Sequence, residues 1–443
     1  MARRLVIGVN FLNYEFFYSN KKIHLTGLTL PSNDADPCSY FPCGRNPGQS
    51  LHHDGPGACV IVPLGGVRRR RSARRGACRG CLPAPPCDGS KEAVVSNSQP
   101  PLSCIPTHNQ SNMLGEGKVS PVTKNGTLEY AVTTEKLYQE MVDATGAFKT
   151  SATVRNVFTM GSGGPTSKVT MQSNEFLTAG TASTGKAKST LGPELGIGWM
   201  LDAASTDPQM MLKTCIGNRA LGWDLLPPGQ VQYDFVKSVK GVNTTYTYAG
   251  YHDSPASWPK GPKPAPVGWE AGIQYDGDTQ RADWILAPAN LTTYYPGATG
   301  YEVAGFFWWQ GDRDSRDKGL STRYEQNLVA LIKELRTRYK APNAPFVTAS
   351  LGQTKMGSTD GGGDVLNAML NVGCNAAGTN PATQPAGKCK YPEFKGNVAT
   401  VYSYPLMVTP SSSGSHYSGD ARTYMNVGTA MGTAMVKMLK AME

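Results

Sequence analysis

Apolar residues recur at helical spacing in several segments of the chain. The pattern predicts helices over 133–145 and 192–204, the second with Pro193 near its first turn. A last helix is predicted over 419–442, close to the C-terminal end. Another is predicted where apolar residues repeat at i, i+3, i+4 and i+7, at Leu328, Leu331, Ile332, Leu335 and Tyr339.

Continuous apolar runs of strand length lie between these helices and predict buried strands. The runs cover 209–215, 303–309, 345–352 and 399–408. Strands that alternate with helices imply a mostly parallel sheet covered on both faces, so we expect an α/β fold. Reactive groups in such sheets gather at the carboxyl ends of the strands, which directs the search to polar residues there.

Two stretches interrupt this alternation. Residues 146–190 contain VRNVFTM and SKVTMQ, which predict a hairpin, and residues 228–300 are rich in Pro, Tyr and Trp. We interpret both as insertions that form walls of a substrate cleft. Their aromatic residues suit either stacking on sugar rings or packing within the insertions; they are Trp258, Trp269, Tyr275, Trp284, Tyr294 and Tyr295.

Residues 1–104 are rich in Pro, Gly, Arg and Cys and lack sustained periodicity, so we expect them to be disordered or poorly packed. Seven arginines within 68–79 supply much of the formal net charge of +10. A solvated arginine tract and a patch for an anionic surface both fit this segment. Because most of the basic excess lies in this segment, we expect no nucleic-acid partner. The character of the sequence changes at residue 105, so we place one domain over 105–443.

Cysteines are concentrated ahead of this domain. Cys78 and Cys81 have zinc-knuckle spacing, but no second pair follows, so we expect no metal site. Cys374 and Cys389 flank a polar loop and can form a local disulfide, which would suit an oxidising compartment. The start of the chain lacks a cleavage site for a signal peptide, while four N-x-S/T sequons permit secretion, so the compartment stays open. No apolar run approaches the ~20 residues that span a bilayer.

The predicted domain contains three histidines, His108, His252 and His416. His416 lies between the last strand and the last helix, where a parallel-sheet hydrolase would place its general base, although a helix-entry role fits the same position. Ser111 stands in QSNMLGEG, a Gly-rich turn that can expose a hydroxyl beside backbone N–H groups able to stabilise an oxyanion. Ser173 lies in a second QSN without the following Met and Gly, so we do not expect it to be catalytic.

Four motifs in order resemble those of a known family. The first is Asn109-Gln110-Ser111-Asn112-Met113-Leu114-Gly115, which resembles the signature G-Q-S-N-M-x-G. The second is GPELGIGWML followed by LKTCIGNRALGWD, and the third is WWQGDRD after an apolar strand, similar to W-x-Q-G-E-x-D/N. The last is His416-Tyr417 before the terminal helix. The domain therefore resembles the sialate O-acetylesterase-like (SASA) family of SGNH hydrolases, which removes acetyl groups from carbohydrates.

The resemblance implies a three-layer α/β/α sandwich with a flavodoxin-like sheet, and a reaction that needs no metal or organic cofactor. Ser111 would be the nucleophile and His416 the base. The backbone of Ser111, the backbone at Gly217 and the side chain of Gln310 would form the oxyanion hole. The residues that would bind substrate are Asn112, Asn218 and Trp309. Plain turn roles remain alternatives for Gly217 and for the segment Gln310-Gly311-Asp312.

The position where the family often has the acid that orients the histidine does not hold an acid in this chain. The family often has an acid three residues before the histidine, where this chain has Ser413. Asp312 and Asp314 both follow the apolar strand, and Asp312 stands where the family has Glu, so we choose Asp312. The alternative is an Asp that only fixes its own turn. In addition, Pro106 within SCIPTHN predicts that the first core strand is damaged or missing.

These patterns predict a serine hydrolase that removes O-acetyl groups from a carbohydrate, either sialic acid or a polysaccharide, through an acetyl-enzyme. A catalytically inactive, glycan-binding relative is the alternative, and the interrupted first strand and Ser413 favour it. An arginine-rich nucleic-acid-binding protein does not explain the order of the four motifs.

Overall fold

The structure is a computed structural model. The arginine tract, Cys78, Cys81 and nearly all of 1–104 lie outside the described residues, as do Gln110 and Ser413. The described residues are 102–108, 111–167, 170–179, 189–376, 384–385, 387–408 and 415–443.

Fourteen strands occur in the described residues. They are β1 Leu102–His108, β2 Gly117–Lys118, β3 Val154–Met160, β4 Thr170–Phe176, β5 Thr190–Leu191, β6 Gln209–Thr214, β7 Tyr233–Val239, β8 Val242–Tyr248, β9 Ser257–Pro259, β10 Tyr301–Val303, β11 Phe306–Trp309, β12 Phe346–Ala349, β13 Asn375–Ala376 and β14 Val398–Val401.

The α-helices of the same residues alternate with the later strands. They are α1 Ser111–Leu114, α2 Leu128–Thr133, α3 Glu194–Ala204, α4 Ile273–Leu286, α5 Pro288–Tyr294, α6 Asp312–Ser315, α7 Lys318–Arg338, α8 Gly361–Val372 and α9 Ala421–Lys440.

The largest sheet has the strand order β13-β14-β12-β11-β1-β6-β3-β4, and β10 pairs with the first part of β1. Its neighbouring strands pair in parallel except for β3 and β4, which form an antiparallel hairpin at one edge. Two smaller antiparallel sheets contain β2-β5 and β7-β8-β9. This combination of sheets and helices confirms the α/β class.

Strand β1 occupies a central place in the largest sheet although Pro106 lies within it. Its residues pair with β6 from Ser103 to Thr107, and Thr107 and His108 pair with β11 on the other side. Proline cannot donate a backbone hydrogen bond, but pairing before and after Pro106 holds the strand in the sheet. The prediction of a damaged or missing first strand is therefore wrong.

Several predicted elements are confirmed. The helix predicted over 192–204 is α3, the one predicted from Leu328 lies within α7, and the one over 419–442 is α9. The strands predicted over 209–215 and 345–352 are β6 and β12.

Other predictions differ from the structure, and one of them fails at residues with unusual backbone geometry. The helix predicted over 133–145 is wrong, because α2 ends at Thr133 and the chain then turns through Lys136 and Tyr138 at φ 56° and 55°. The apolar run 303–309 is split into β10 and β11. The run 399–408 is a strand only as far as Val401. Positive φ values at non-Gly residues are disfavoured, and apolar periodicity does not reveal them.

The stretch 146–190 contains the predicted hairpin, formed by β3 and β4. Strand β3 also pairs in parallel with β6, so the hairpin extends the main sheet. The stretch 228–300 contributes the sheet β7-β8-β9 together with α4 and α5. Of the six aromatic residues named above, four are buried and pack inside the protein, namely Trp258, Tyr275, Tyr294 and Tyr295, whereas Trp284 is exposed.

Helix α9 packs closely against the beginning of α3. A Cβ atom at Gly428 would lie 2.2 Å from the carbonyl oxygen of Pro193, so only glycine permits this approach. The N-terminus of α9 is capped by Asp420, whose carboxylate accepts a hydrogen bond of 2.9 Å from the backbone N–H of Arg422. These contacts fix the point at which the segment containing His416 enters the last helix.

Cys374 and Cys389 form a disulfide, in agreement with the sequence. The bond links the chain just after α8 to the segment that leads into β14. Within the described ranges, no helix has both the length and the apolar character needed to cross a membrane.

The position of β1 predicts where the chain can be truncated. Removing residues 1–98 leaves β1 whole, and we expect an unchanged melting temperature and unchanged activity. Removing residues 1–104 deletes the part of β1 that pairs with β10 and with the first residues of β6. We expect this second truncation to lower the melting temperature by several degrees, because about 1 kcal/mol shifts it by roughly 2–4 °C in a domain of this size. Thermal unfolding of both variants tests this, and equal stability of the two would contradict it.

Candidate active site

The loops that follow β1, β6 and β11 carry most of the candidate residues. These strands are neighbours in the sheet and run in parallel, so their carboxyl ends lie at the same edge. Ser111 opens α1 shortly after β1, Gly217 and Asn218 follow β6, and Gln310 and Asp312 follow β11. The fold therefore brings three of the four sequence motifs to one edge of the sheet, as expected for parallel strands.

A buried ion pair braces the loop that carries Ser111. The ammonium group of Lys213 donates to the carboxylate of Glu194 and to the carbonyl oxygen of Leu114, both at 2.8 Å. Glu194 also accepts a hydrogen bond of 2.8 Å from the backbone N–H of Gly192. Burial raises the pKa of Glu194, and the charge of Lys213 opposes that shift. One ion pair thus connects β6, the start of α3 and the end of α1.

The same loop crosses the chain ahead of α3 with no space for a side chain. Gly115 has a φ of +97°, and a Cβ atom placed there would lie 2.2 Å from the Cα atom of Gly192. Glycine is required for the conformation as well as for the space. The glycine that ends the motif around Ser111 therefore has a structural reason, which is to let the nucleophile loop pack on its neighbour.

The candidate oxyanion loop turns through a left-handed residue. Gly217 is buried, and Asn218 is exposed with a φ of 57°. Asparagine tolerates this conformation better than most residues, so Asn218 adopts it at little cost. The next residue, Arg219, lies over the ring of Trp269 at 4.7 Å and donates to the hydroxyl of Ser162 at 2.9 Å.

Asp314 clamps the continuation of this loop. Its two carboxylate oxygens accept hydrogen bonds from the backbone N–H groups of Leu221 and Gly222, at 2.9 and 2.8 Å. The carboxylate is fully buried, and burial raises the pKa of Asp314 to about 6 against the opposing effect of the hydrogen bond from Gln310. Asp314 therefore holds the candidate oxyanion loop, a role that its position after an apolar strand did not reveal.

Gln310 is engaged in a way that differs from the prediction. Its amide nitrogen donates to the carbonyl oxygen of Arg219 at 2.9 Å and to the carboxylate of Asp314, so both amide hydrogens have acceptors. The buried amide oxygen has no hydrogen-bond partner among the described residues. In this geometry the side chain joins two loops, and it would donate to an oxyanion only if one of these two bonds were released.

Asn112 and Trp309 are buried, which does not fit their predicted roles in substrate binding. Asn112 is buried, and its amide nitrogen donates to the hydroxyl of Tyr417 at 2.9 Å. Trp309 is completely buried, and its indole N–H donates to the carbonyl oxygen of Ser350 at 2.9 Å. Its ring stacks on that of Tyr417 with centroids 5.6 Å apart. Trp309 therefore offers no surface to a sugar, and Asn112 offers very little. Asn218, in contrast, is exposed at the candidate oxyanion loop.

His416 lies in a turn with unusual backbone geometry. His416, Tyr417 and Ser418 have φ values of 55°, 55° and 58°, all in the left-handed region. Such a conformation costs roughly 1–2 kcal/mol for each residue other than glycine, so other contacts must hold it in place. One of them is the hydroxyl of Tyr424, which donates to the carbonyl oxygen of His416 at 3.3 Å.

Two carboxyl groups, those of Asp312 and Glu116, are candidates for the acid that orients His416. Asp312 forms an ion pair with Arg316, and Gln353 donates to it at 3.5 Å. Burial raises the pKa of Tyr417, the neighbour of His416, and the charge of Asp312 adds to that shift. Glu116 is half-buried; burial raises its pKa, and the charge of His416 lowers it. Sequence reasoning missed Glu116, although its place between two glycines of the nucleophile motif marks it as a loop carboxylate beside the site.

The remaining candidates lie elsewhere or contribute nothing further. Ser173 lies on β4 at the far edge of the sheet, and its hydroxyl donates to the carbonyl oxygen of Asn156 at 3.4 Å. His252 is exposed beside Asp276 at 3.1 Å. Across the part of the chain that the structure describes, no three His, Cys, Asp or Glu side chains gather as they would around a metal ion.

Comparison with known proteins supports the resemblance noted in the sequence. Residues 274–378 match the model of the SASA family, described as "Carbohydrate esterase, sialic acid-specific acetylesterase". The matched segment includes the motif with Gln310 and Asp312. The resemblance to this family is thereby confirmed. No curated protein matches the chain.

Two solved structures show weak similarity to the chain. A protein from Arabidopsis thaliana is 12% identical with a TM-score of 0.38, and the match covers 74% of this chain and 95% of that protein. A carbohydrate acetylesterase from Xanthomonas citri is also 12% identical, with a TM-score of 0.39 over 75% of this chain and 55% of its own length.

The ion pair beneath the nucleophile loop can be tested by a double-mutant cycle. We expect Lys213→Met to lower the free energy of unfolding by about 3–5 kcal/mol, because it leaves Glu194 buried without its charge partner. Adding Glu194→Gln should recover a large part of that loss, since the double variant has no buried charge at this position. Denaturant-induced unfolding of both variants measures these values. A loss below about 1 kcal/mol for Lys213→Met would contradict a bracing role.

Proposed function

We propose that this chain is a serine hydrolase that removes O-acetyl groups from a carbohydrate, sialic acid or a polysaccharide, through an acetyl-enzyme. The observation that carries the proposal is the arrangement of Ser111, Gly217 and Gln310 after three neighbouring parallel strands. The family match over residues 274–378 supports a carbohydrate ester as substrate. We also propose that the domain over 105–443 is a three-layer α/β/α sandwich of the SGNH type.

In the proposed reaction the hydroxyl of Ser111 attacks the acetyl carbonyl carbon while His416 accepts the hydroxyl proton. The resulting oxyanion receives hydrogen bonds from the backbone N–H groups of Ser111 and Gly217. The intermediate collapses, the sugar oxygen takes the proton from His416, and the acetyl group remains on Ser111. Water, deprotonated by His416, then hydrolyses this ester and releases acetate. The exposed Asn218, which directly follows the second donor, is the residue that we propose to contact the sugar.

An inactive, glycan-binding relative remains the second candidate. The interrupted first strand no longer favours it, because β1 is paired on both sides. The engagement of both amide hydrogens of Gln310 does favour it, since that side chain then contributes nothing to an oxyanion hole. Acetate release from a panel of acetylated glycans separates the two candidates, because the inactive relative would bind glycans without releasing acetate.

Ser111→Ala tests the nucleophile. We expect this variant to fold normally and to lose esterase activity by several orders of magnitude, because the covalent route disappears. The matched control is Ser173→Ala, which changes the serine of the second QSN at the far edge of the sheet and should retain full activity. Turnover of p-nitrophenyl acetate and of acetylated glycans is the measurement. A cleanly folded Ser111→Ala protein with more than about a tenth of wild-type turnover would refute the assignment.

Asp312→Asn tests the acid that we propose to orient His416. We expect kcat to fall by a factor of ~10² or more with little change in KM, because a base without a charged partner stabilises its imidazolium poorly. Asp314 is not a neutral comparison, because it clamps the oxyanion loop. Glu116→Gln is the informative comparison, since its charge also interacts with that of His416.

The two carboxyl variants distinguish three arrangements. A large loss of kcat in Asp312→Asn alone supports Asp312 as the acid that orients His416. A large loss in Glu116→Gln alone assigns that role to Glu116. Small and equal effects would indicate a Ser–His dyad whose histidine is held by a neutral acceptor.

A further inference from the structure

The turn that carries His416 has a backbone conformation that is unfavourable without contacts from outside the turn. Three consecutive residues other than glycine adopt left-handed backbone geometry there. Isolated residues visit this region, but a run of three is unfavourable unless contacts outside the turn compensate. The side chain of Tyr417, in the middle of the run, supplies the most extensive of these contacts.

The hydroxyl oxygen of Tyr417 joins three loops at one atom. It accepts one hydrogen bond from the amide nitrogen of Asn112 at 2.9 Å and another from the backbone N–H of Gly352 at 3.2 Å. Asn112 follows β1, Gly352 follows β12, and Tyr417 itself follows β14. Burial raises the pKa of Tyr417, so the phenol stays protonated and neutral at physiological pH.

The ring of Tyr417 is fixed as firmly as its hydroxyl. It stacks nearly parallel on Trp309, with ring planes 11° apart, and meets Tyr424 edge-on at 5.8 Å. Trp309 is held in turn by its bond to Ser350. Because ring and hydroxyl are both fixed, the phenol oxygen has one defined position from which to set the place of Asn112.

We propose that Tyr417 is a positioning residue that keeps the nucleophile and the base in register, an inference that rests on the proposed function. Ser111 and Asn112 are adjacent in the chain, and so are His416 and Tyr417. The hydrogen bond between Asn112 and Tyr417 therefore links the immediate neighbours of the two catalytic groups. A misplacement of about 1 Å between reacting groups can cost ~10²-fold in rate, so this bond acts on turnover although neither partner touches substrate.

Tyr417→Phe is the sharpest test, because it retains the stacked ring and removes only the hydroxyl. We expect kcat to fall between ten- and one hundred-fold with KM within about twofold of wild type, since substrate contacts are unchanged. The matched control is Tyr275→Phe, which removes another buried hydroxyl, bonded to Glu334 at 3.2 Å. That control should have wild-type kcat, whatever its melting temperature.

A double-mutant cycle with Asn112→Ala tests the route of the effect. If Tyr417 acts through Asn112, the double variant should be no slower than the slower single variant. Independent, multiplying losses of kcat would overturn that route, and a kcat within twofold of wild type in Tyr417→Phe would overturn the proposal as a whole.

Amide hydrogen exchange separates this inference from the proposed function. The N–H group of Gly352 donates to the phenol, so its exchange and that of residues 415–419 should accelerate in Tyr417→Phe and stay unchanged in Tyr275→Phe. If the wild-type protein releases no acetate, the proposed function fails while this acceleration still supports the positioning of the two loops. Unchanged exchange in Tyr417→Phe would overturn the positioning itself.

Discussion

The ammonium group of Lys213 is the charge around which the candidate site is assembled. A buried cation is costly unless every hydrogen finds an acceptor, and the carboxylate of Glu194 and the carbonyl oxygen of Leu114 supply two of them. The segments that provide these acceptors cannot move apart without exposing the cation to an apolar interior. The end of α1, the entry to α3 and strand β6 are therefore fixed relative to one another by this ion pair and its hydrogen bonds.

The other loops of the site follow the same principle on a smaller scale. Each is held by a buried polar side chain that belongs to a different loop. Asp314, from the segment after β11, holds the backbone after β6, and Tyr417, from the segment after β14, holds the loop after β1. Hydrogen bonds between different loops thus restrain these short irregular segments, and such restraint is what a precisely arranged site requires.

The sequence predicted the α/β class and the meeting of its motifs at one edge of the sheet, because parallel strands bring the residues that follow them to the same edge. It did not predict β1, since Pro106 obscured the strand pattern, or α8, whose first turn consists of glycines behind the capping residue Asp360. It also assigned Asn112 and Trp309 to substrate. Motif position says which loop a side chain belongs to, but contacts distant in sequence decide whether it points outward or into the protein.

The raised pKa of Asp314 makes the hydrogen bonds that hold the candidate oxyanion loop dependent on pH. Its pKa is about 6 in the folded chain and lower in the unfolded chain, so the folded state gains a proton first as the pH falls. The contribution of this carboxyl to the free energy of unfolding therefore decreases as the pH rises from about 4 to about 6 and is constant above that range. The proton that binds Asp314 in the folded state is carried by one of the two oxygens that accept hydrogen bonds from the N–H groups of Leu221 and Gly222. At acidic pH the protein would therefore gain stability from this group, while its hydrogen bonds to the loop would lose their charge-assisted strength, so global stability and local order of this loop would change in opposite directions.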